Sequence, residues 1–506
     1  MKKIISLFAL LFCAFILSSC TNNSLHSQQK NLTNYYLDIE FFDEEMQRVA
    51  VKQKVDYINN TDQVFEQISF HLYATAFREG ASVNVVSLAS HSAAYYSGTS
   101  YGNFEIKAVT NAKQAPIEFE IAGQDDNILT VKLESKLYPK ERVVLNFEFE
   151  VILPNINHRF GRGQSTTNLA NFFPIACVYE NGAFMTKPYS PNGDPFYSDM
   201  ANFTASVTYP ENFVLASTGV QLSTQKENYK KTTKINAPVV RDFALVLSEK
   251  FLVVEEMFEN TKVIYYYFEE ETPEKSLKTA VLSLKTFSEY FGKYPYETLS
   301  VVKASFVHGG MEYPNLVYIS ESIKNYQYYQ NVIIHEIAHQ WWYNMVGSNA
   351  YDNAWLDEGL TDYSTALFYE VNPQYEIRLE DLMLTAMTTY SYYVETFTAV
   401  YKTVDTSMNR SLNEYKSESE YVYIAYVKGM LLFDSLRNLL GDQEFFKALK
   451  LYFNTFQFKN ATPYDLIATF EKSSNKNLEA FFDSWISGKL VVLPNSRLAV
   501  GWLIND

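Results

Sequence analysis

The stretch VIIHEIAHQWWYN, residues 332–344, constrains the fold more than any other part of the chain. Its apolar residues recur at helical spacing, which predicts an amphipathic helix with one buried face. On that helix His335 and His339 lie one turn apart, so both imidazoles project from the same side. Two ring nitrogens placed in this way can bind one metal ion at roughly 2.0–2.1 Å.

A catalytic metal ion bound by two histidines needs a third protein ligand, and the sequence offers one downstream. Glu358 lies in the first turn of a second helical segment, NAWLDEGLTDYSTALFYE. A hairpin of the two helices would bring Glu358 to His335 and His339, which predicts a three-ligand metal site. Asp362 follows Glu358 by one helical turn and is a candidate hydrogen-bond acceptor for a ligand imidazole. A solvated helix carboxylate is the alternative interpretation of Asp362.

Glu336 completes the pattern H-E-x-x-H, which on a helix is a signature of zinc hydrolases. Because Glu336 is adjacent to His335 in sequence, its side chain cannot share the direction of the ligand, but it can hold a water beside the ion. A surface helix with unrelated histidines is the alternative, and the downstream Glu358 argues against it.

Hydrophobic periodicity divides the chain into two main parts. From 34 to 255 the pattern alternates with period two, as in VAVKQKVDY, and turn residues separate the runs. This predicts a β-rich domain. From 256 to 490 helical patterns dominate, and they predict helices at 330–346, 355–371 and 421–440. The fold class is therefore α+β and multidomain, with a β domain followed by a mainly helical one, and residues 491–506 are expected to be a C-terminal tail.

The first residues, MKKIISLFALLFCAFILSSC, combine two lysines with a short apolar run, which is typical of a signal peptide over residues 1–19. The ending Leu17-Ser18-Ser19-Cys20 resembles the lipobox of bacterial lipoproteins, which implies cleavage before Cys20 and lipid on its thiol. An ordinary secretory signal is the alternative. Residues 20–33 are polar and lack periodicity, which favours a tether. We therefore expect a lipid-anchored, extracytoplasmic protein of the bacterial cell envelope.

Charge and cysteine content restrict the partners. The formal net charge of −16 argues against a nucleic-acid partner, because binding to nucleic acid usually needs a basic face. Once Cys13 leaves with the signal and Cys20 is acylated, Cys177 has no partner in the chain, so no disulfide is expected. Cys177 lies in the apolar stretch FFPIACVYE and is interpreted as a buried small residue.

Four local motifs resemble the aminopeptidase N family, the gluzincin aminopeptidases. They are HEIAHQWW followed by WLDEGLTDY, then GGMEY, YVKGM and YFGKYPYETLSVV. The resemblance extends over roughly residues 40–490 and is strongest between 285 and 435. It implies a β saddle domain followed by a thermolysin-like zinc peptidase domain.

The resemblance also implies residue roles. One Zn²⁺ per chain would be held by His335, His339 and Glu358. Glu336 would take a proton from the attacking water and later pass it to the leaving amine. Tyr426, in the stretch IAYVKGM, would donate its hydroxyl to the tetrahedral oxyanion, with Tyr421 and Tyr423 as nearby alternatives.

The stretch GGME, formed by Gly309, Gly310, Met311 and Glu312, resembles the family's exopeptidase motif. Glu312 would pair with the free α-ammonium of a peptide, and the glycines would let the substrate backbone approach the edge of a sheet. The expected partners are therefore peptides with a free N-terminus. A glycine-rich turn with a solvated glutamate is the alternative.

Three departures from the family pattern bear on specificity. Tyr313 stands where the family motif has Asn, and Gln164 is the only candidate for a further amine-binding residue from the β domain. The chain also stops soon after NLEAFFDSWISGK, without the large helical domain of many relatives, so a more open site is expected. A zinc aminopeptidase is the favoured function. A zinc peptidase without strict N-terminal specificity and a non-catalytic surface binding protein are the alternatives.

Overall fold

The computed structural model describes residues 22–43, 45–269 and 272–489. The predicted signal peptide, Cys20 and the predicted C-terminal tail lie outside these ranges and stay predictions. The segment predicted as a tether differs from expectation, because it contains the helix Asn22–Gln29. Asn202 Nδ2 donates a hydrogen bond of 2.9 Å to the carbonyl of Gln29, so the end of this helix contacts the first sheet.

A seven-stranded sheet dominates the first half of the chain. In spatial order its strands are Val220–Glu227, Lys230–Val240, Ala201–Pro210, Thr33–Phe41, Arg48–Ile58, Arg142–Ile152 and Asn103–Asn111. The pairing is antiparallel except between the central strands Thr33–Phe41 and Ala201–Pro210, which run parallel. Alternate side chains of Thr33–Phe41 are buried, which is the structural origin of the period-two pattern.

Smaller sheets pack against this one. One four-stranded sheet contains Ile175–Ala176, Phe65–His71, Ile128–Leu137 and Phe119–Ala122. Another contains Val214–Ser217, Leu245–Ser248, Thr167–Leu169 and Phe160–Arg162, and the two-residue strands Tyr179–Glu180 and Ala183–Phe184 form a pair. The ring of Phe70 meets that of Phe147 edge to face at 5.1 Å, which joins the first small sheet to the large one. Cys177, in this core, is 2% exposed, as expected for a buried small residue.

The second half combines one sheet with most of the helices. The sheet contains, in order, Leu252–Phe258, Thr261–Tyr267, Thr298–Ala304, Leu316–Ser320 and the edge strand Gly310–Met311, and a separate pair joins Val346–Gly347 to Lys459–Asn460. The α-helices of the described chain, after Asn22–Gln29, are His91–Ala94, Pro273–Tyr290, Tyr326–Ala338, Ala350–Asn353, Trp355–Val371, Leu379–Tyr401, Glu418–Tyr421, Gly429–Leu440, Asp442–Phe456, Pro463–Ser474 and Glu479–Ile486. None of the helices in the described ranges is long and apolar enough to cross a membrane.

The predicted α+β, multidomain architecture is confirmed, while several boundaries differ. The predicted division at 255/256 falls inside the strand Leu252–Phe258, which pairs with Thr261–Tyr267 in the second sheet. The first predicted helix ends at Ala338 because the chain turns there, and the carbonyl of Trp342 accepts a hydrogen bond from the imidazole of His339. The predicted helix 421–440 contains a π-helical segment, Val422–Lys428, before Gly429–Leu440.

Arg241 joins the two halves of the molecule. This buried side chain donates from Nε to the carbonyl of Asn344 at 2.9 Å and from Nη1 to Oδ1 of Asn460 at 2.7 Å. Gly347 leaves room for the guanidinium, since a Cβ at that position would collide with it. The turn after the helix Tyr326–Ala338 is therefore held by a residue of the β domain.

Candidate metal centre and substrate cleft

The three predicted ligands converge. Nε2 of His335 lies 3.1 Å from Nε2 of His339, and Oε2 of Glu358 lies 3.1 Å from the latter and 3.4 Å from the former. Ligand atoms of a tetrahedral zinc ion at roughly 2.0–2.1 Å are separated by about 3.3–3.5 Å. The observed triangle therefore has the dimensions and the N/O donor set of a zinc site, with a fourth position left for water or substrate.

Hydrogen bonds orient both imidazoles. Nδ1 of His335 lies 2.9 Å from Oδ1 of Asp362, and Nδ1 of His339 lies 2.9 Å from the carbonyl of Trp342. Because a carboxylate and a carbonyl can only accept, Nδ1 of each imidazole carries the proton. The lone pair of each Nε2 is therefore free and points to the position between the three ligands. Of the two interpretations of Asp362, the structure places its carboxylate beside the ligand imidazole.

Glu336 is buried beside the ligands without sharing their direction. Its exposure is 5%, and Oε2 has no hydrogen-bond partner among the described residues. Burial raises the pKa of Glu336 to about 7. Gly310 makes room for this carboxylate, because a Cβ at Gly310 would collide with it. An unpartnered, buried carboxylate next to the metal position is suited to exchange a proton with a water or a substrate atom.

Two of the three candidate tyrosines reach the metal ligands. Tyr426 Oη donates to Oε1 of Glu358 at 2.6 Å, and Tyr421 Oη donates to the same oxygen at 3.2 Å. The ring of Tyr426 also stacks on the imidazole of His335, with centroids 5.7 Å apart. Tyr423 packs against Tyr393 instead.

A contact between two glycines brings the Tyr426 segment close to the ligand helix. A Cβ on Gly359 would lie 2.7 Å from Cα of Gly429, so neither position accepts a side chain without movement of the helices. Gly359 follows the ligand Glu358, and Gly429 directly follows the π-helical segment that carries Tyr426. This is the structural reason for a glycine in YVKGM. A π-helical segment is frequent at functional sites.

The GGME stretch contributes the edge strand of the five-stranded sheet, beside the metal position. Gly310–Met311 pairs with Tyr318 and Ile319 on one side only within the described chain. Glu312 is 4% exposed, and burial followed by the neighbouring Asp194 carboxylate raises its pKa. Tyr313 points away from the cleft, since its buried hydroxyl donates to Oδ1 of Asn171 at 2.7 Å. Its replacement of the family Asn therefore changes the contact with the β domain.

A cleft of about 500 Å³ opens over these groups. It is lined by His335, Glu336, Asp362, Gly309, Gly310, Tyr421 and Tyr426 among the residues anticipated from sequence. Gln164 is exposed and does not line it, so the suggested amine-binding role of Gln164 has no structural support.

The β domain contributes Arg159 and Asp194, which sequence analysis missed. Arg159 and Asp194 form a buried ion pair in the wall of the cleft. The loop that contains Asp194 packs closely against Tyr421. Only a glycine fits at position 193, because a Cβ there would lie 2.7 Å from Oη of Tyr421. No motif marks these residues, and a carboxylate in a loop is identifiable only once the two halves of the chain pack together.

The ligand triangle lies in a segment of the chain that matches a known family. Residues 275–485 match the peptidase family M1 domain. Within this segment His335, His339 and Glu358 form a cluster that can hold one metal ion, as the sequence predicts.

Relatives are similar over part of their length. The puromycin-sensitive aminopeptidase of Caenorhabditis elegans is 23% identical over 408 residues, which cover 75% of this chain and 41% of that protein. Aminopeptidase M1-A of Oryza sativa subsp. japonica is 26% identical over 245 residues, covering 45% of this chain and 27% of that protein. The chain thus spans well under half the length of these relatives.

Solved structures match nearly the whole chain. The M1 zinc metallopeptidase from Deinococcus radiodurans has a TM-score of 0.64 and 17% identity, and the match covers 91% of this chain and 94% of that one. A variant of that protein bound to a Tyr-Ser-Ala substrate matches with the same TM-score, at 16% identity, over 92% of this chain and 96% of that one. At this identity the likeness shows the fold, including the β domain that precedes the M1 domain.

Proposed function

We propose that this protein is a zinc aminopeptidase that removes the N-terminal residue from peptides. The observation that carries the proposal is a pair of carboxylates near the metal ligands: Asp194 lies in the wall of the cleft, and Glu312 lies at the buried end of the edge strand Gly310–Met311. Arg159 connects the two positions, because its guanidinium pairs with Asp194 and also contacts Sδ of Met311, the residue before Glu312, at 3.3 Å. A free α-ammonium bound there would fix the scissile bond one residue from the end of the chain.

The edge strand positions the substrate. Gly310–Met311 exposes one unpaired edge to the cleft, where an extended peptide can add as a further strand. Gln340 Nε2 donates to the carbonyls of Glu312 and Tyr313 at 3.3 and 3.2 Å, which fixes the end of this strand. The register of the substrate is therefore set by main-chain hydrogen bonds and by the ammonium contact.

The chemistry follows from the neighbouring side chains. Zn²⁺, held by His335, His339 and Glu358, supplies Lewis acidity toward the scissile carbonyl and the attacking water. The carboxylate of Glu336 accepts a proton from that water and returns it to the leaving amine. With substrate bound, the hydroxyl of Tyr426 would turn its one proton from Oε1 of Glu358 to the oxyanion of the tetrahedral intermediate.

Relatives in which this domain occurs support the substrate class. Several are named aminopeptidases, and the Deinococcus radiodurans variant was solved with a tripeptide substrate. The decisive experiment compares a leucine reporter that has a free amine with its N-acetylated form, with and without chelator. We expect turnover of the free-amine form alone and its loss on chelation. Equal turnover of both forms would overturn amine anchoring and favour a peptidase without N-terminal specificity.

We also propose that the mature protein is anchored by lipid on Cys20 outside the cytoplasmic membrane of a bacterium. The support is the sequence Leu17-Ser18-Ser19-Cys20 after an apolar run with two lysines. Expression of the full chain and of Cys20→Ser in a bacterial host tests this. The unchanged chain should partition into the membrane fraction and carry acyl mass on Cys20. Equal partitioning of both proteins would contradict the lipid anchor.

A further inference from the structure

A histidine and a carboxylate that contact each other lie in the cleft but have no part in the chemistry described above. Nδ1 of His308 lies 3.3 Å from Oε1 of Glu418, and both residues line the cleft. The side chain of His308 is 23% exposed and that of Glu418 is 36% exposed, so both face solvent within the cleft. His308 precedes the edge strand, whereas Glu418 begins the helix Glu418–Tyr421 on the opposite wall.

The direction of a bound peptide places this couple downstream of the scissile bond. With the ammonium at Glu312, a strand added to Gly310–Met311 has to run toward lower residue numbers. The other direction is closed, because Tyr313 is fully buried against the β domain. Each substrate residue advances by about 3.3 Å. The second or third residue after the scissile bond therefore passes His308.

The charges at this end of the cleft select for a cation. The hydrogen bond with His308 lowers the pKa of Glu418, so this carboxylate is ionised at neutral pH. The nearest guanidinium of the cleft, that of Arg159, is already paired with Asp194. A positively charged side chain gains from this field, and a negatively charged one is repelled.

We propose that Glu418, positioned by His308, forms a subsite for a lysine or arginine side chain two or three residues after the scissile bond. This inference rests on the proposed aminopeptidase function, since the ammonium contact sets the register. With this subsite the protein would hydrolyse peptides faster when they carry a lysine or arginine at that position. The identity of the released N-terminal residue would not be restricted.

Peptide amides test the subsite: Leu-Gly-Lys-NH2 and Leu-Gly-Gly-Lys-NH2 against the same peptides with Glu in place of Lys. Each kcat/KM is divided by that of the same protein on a leucine anilide, so that a general change in activity cancels. We expect the unaltered protein to favour Lys by about two- to fivefold, the range of a partly exposed ion pair. Glu418→Gln should bring the ratio close to one.

Two further variants serve as controls for the Glu418→Gln measurement. His308→Gln retains the carboxylate and should keep the preference for Lys. Glu395→Gln, an exposed carboxylate on the helix Leu379–Tyr401, should behave like the unaltered protein. An unchanged Lys preference in Glu418→Gln, or no preference in the unaltered protein, overturns the subsite. Failure to hydrolyse the leucine anilide itself would instead count against the proposed aminopeptidase function.

Discussion

Tyr426 and Glu358 share a hydrogen bond of 2.6 Å although 67 residues separate them along the chain. The hydroxyl donates to Oε1 of the carboxylate, while Oε2 is directed to the two imidazoles. One oxygen of Glu358 therefore belongs to the metal centre and the other holds the tyrosine. The hydroxyl proposed as oxyanion donor and the metal ligands are therefore positioned as one unit.

Removal of the Tyr426 hydroxyl should reduce catalysis and leave zinc in place. We expect Tyr426→Phe to lower kcat by roughly 10²–10³, the cost of one oxyanion donor. Tyr421→Phe serves as the matched comparison, because its longer hydrogen bond to Glu358 leaves it in a supporting role. Steady-state kinetics and zinc content of both variants distinguish the roles. A larger loss in Tyr421→Phe would reverse the assignment.

Glu336→Gln should separate metal binding from proton transfer. The amide has the shape of the carboxylate but cannot accept the proton of the attacking water. We expect one zinc per chain by elemental analysis and a fall in kcat of roughly 10²–10⁴. Glu289→Gln, an exposed carboxylate on the helix Pro273–Tyr290, is the control. Near-normal turnover by Glu336→Gln would mean that another group is the base.

Asp362→Asn should weaken zinc binding through His335. The carboxylate that accepts the imidazole proton makes the ligand nitrogen more basic, and its loss typically costs about 10- to 100-fold in metal affinity. Competition with a chromogenic chelator measures the effect. Thr361→Val is the paired variant, because Thr361 approaches His339 Nδ1 at 3.1 Å while Trp342 already accepts from that nitrogen. If both variants bound zinc like the unaltered protein, Asp362 would have no part in the site.

Gly359→Ala should force the ligand helix and the Tyr426 segment apart. The added methyl would lie 2.7 Å from Gly429 Cα, and overpacking of this kind costs about 1–3 kcal/mol. We expect a lower thermal midpoint together with a fall in kcat, since Tyr426 moves relative to Glu358. Thr388→Ala, on an exposed helix surface, should leave both values unchanged. A Gly359→Ala protein that lost stability but kept full kcat would show that the contact is structural alone.

Lys428 predicts a pH dependence of stability. Its Nζ donates to the carbonyls of Thr406 and Trp485, and burial followed by the charge of Arg410 lowers its pKa to about 7. Between pH 7 and about 10 the unfolded lysine binds a proton that the folded one lacks, so its contribution to stability rises with pH. The slope reaches at most about 1.4 kcal/mol per pH unit.

Urea unfolding of the unaltered protein and of Lys428→Met between pH 7 and 9 isolates this contribution. The stability of the unaltered protein relative to the variant should increase across the interval. A difference that stayed constant or decreased would mean that Lys428 remains charged in the folded protein.

Much of the metal site follows from sequence because its parts are local. His335 and His339 depend on one helical turn, and Glu358 depends on a neighbouring helix whose apolar pattern is clear. The same reasoning fails at the end of the first helix. Its apolar pattern continues to Met345, although the chain turns after Ala338 so that the carbonyl of Trp342 can meet His339.

The remaining differences depend on contacts between distant parts of the chain. Sequence offers Gln164 as the only amine-binding candidate in the β domain, but it cannot show that this side chain lies outside the cleft. Asp194 reaches the metal region because a loop of the β domain packs Gly193 against Tyr421. Local pattern carries no information on such packing.

The ion pair of Arg159 and Asp194 has a consequence for the smallest piece of this protein that can work. A fragment restricted to residues 275–485 would retain every zinc ligand and still lack one side of the substrate channel. It would also lose Arg241, which braces the turn that carries Asn344. The complete cleft is therefore a property of the two halves together, and neither half contains all of its wall.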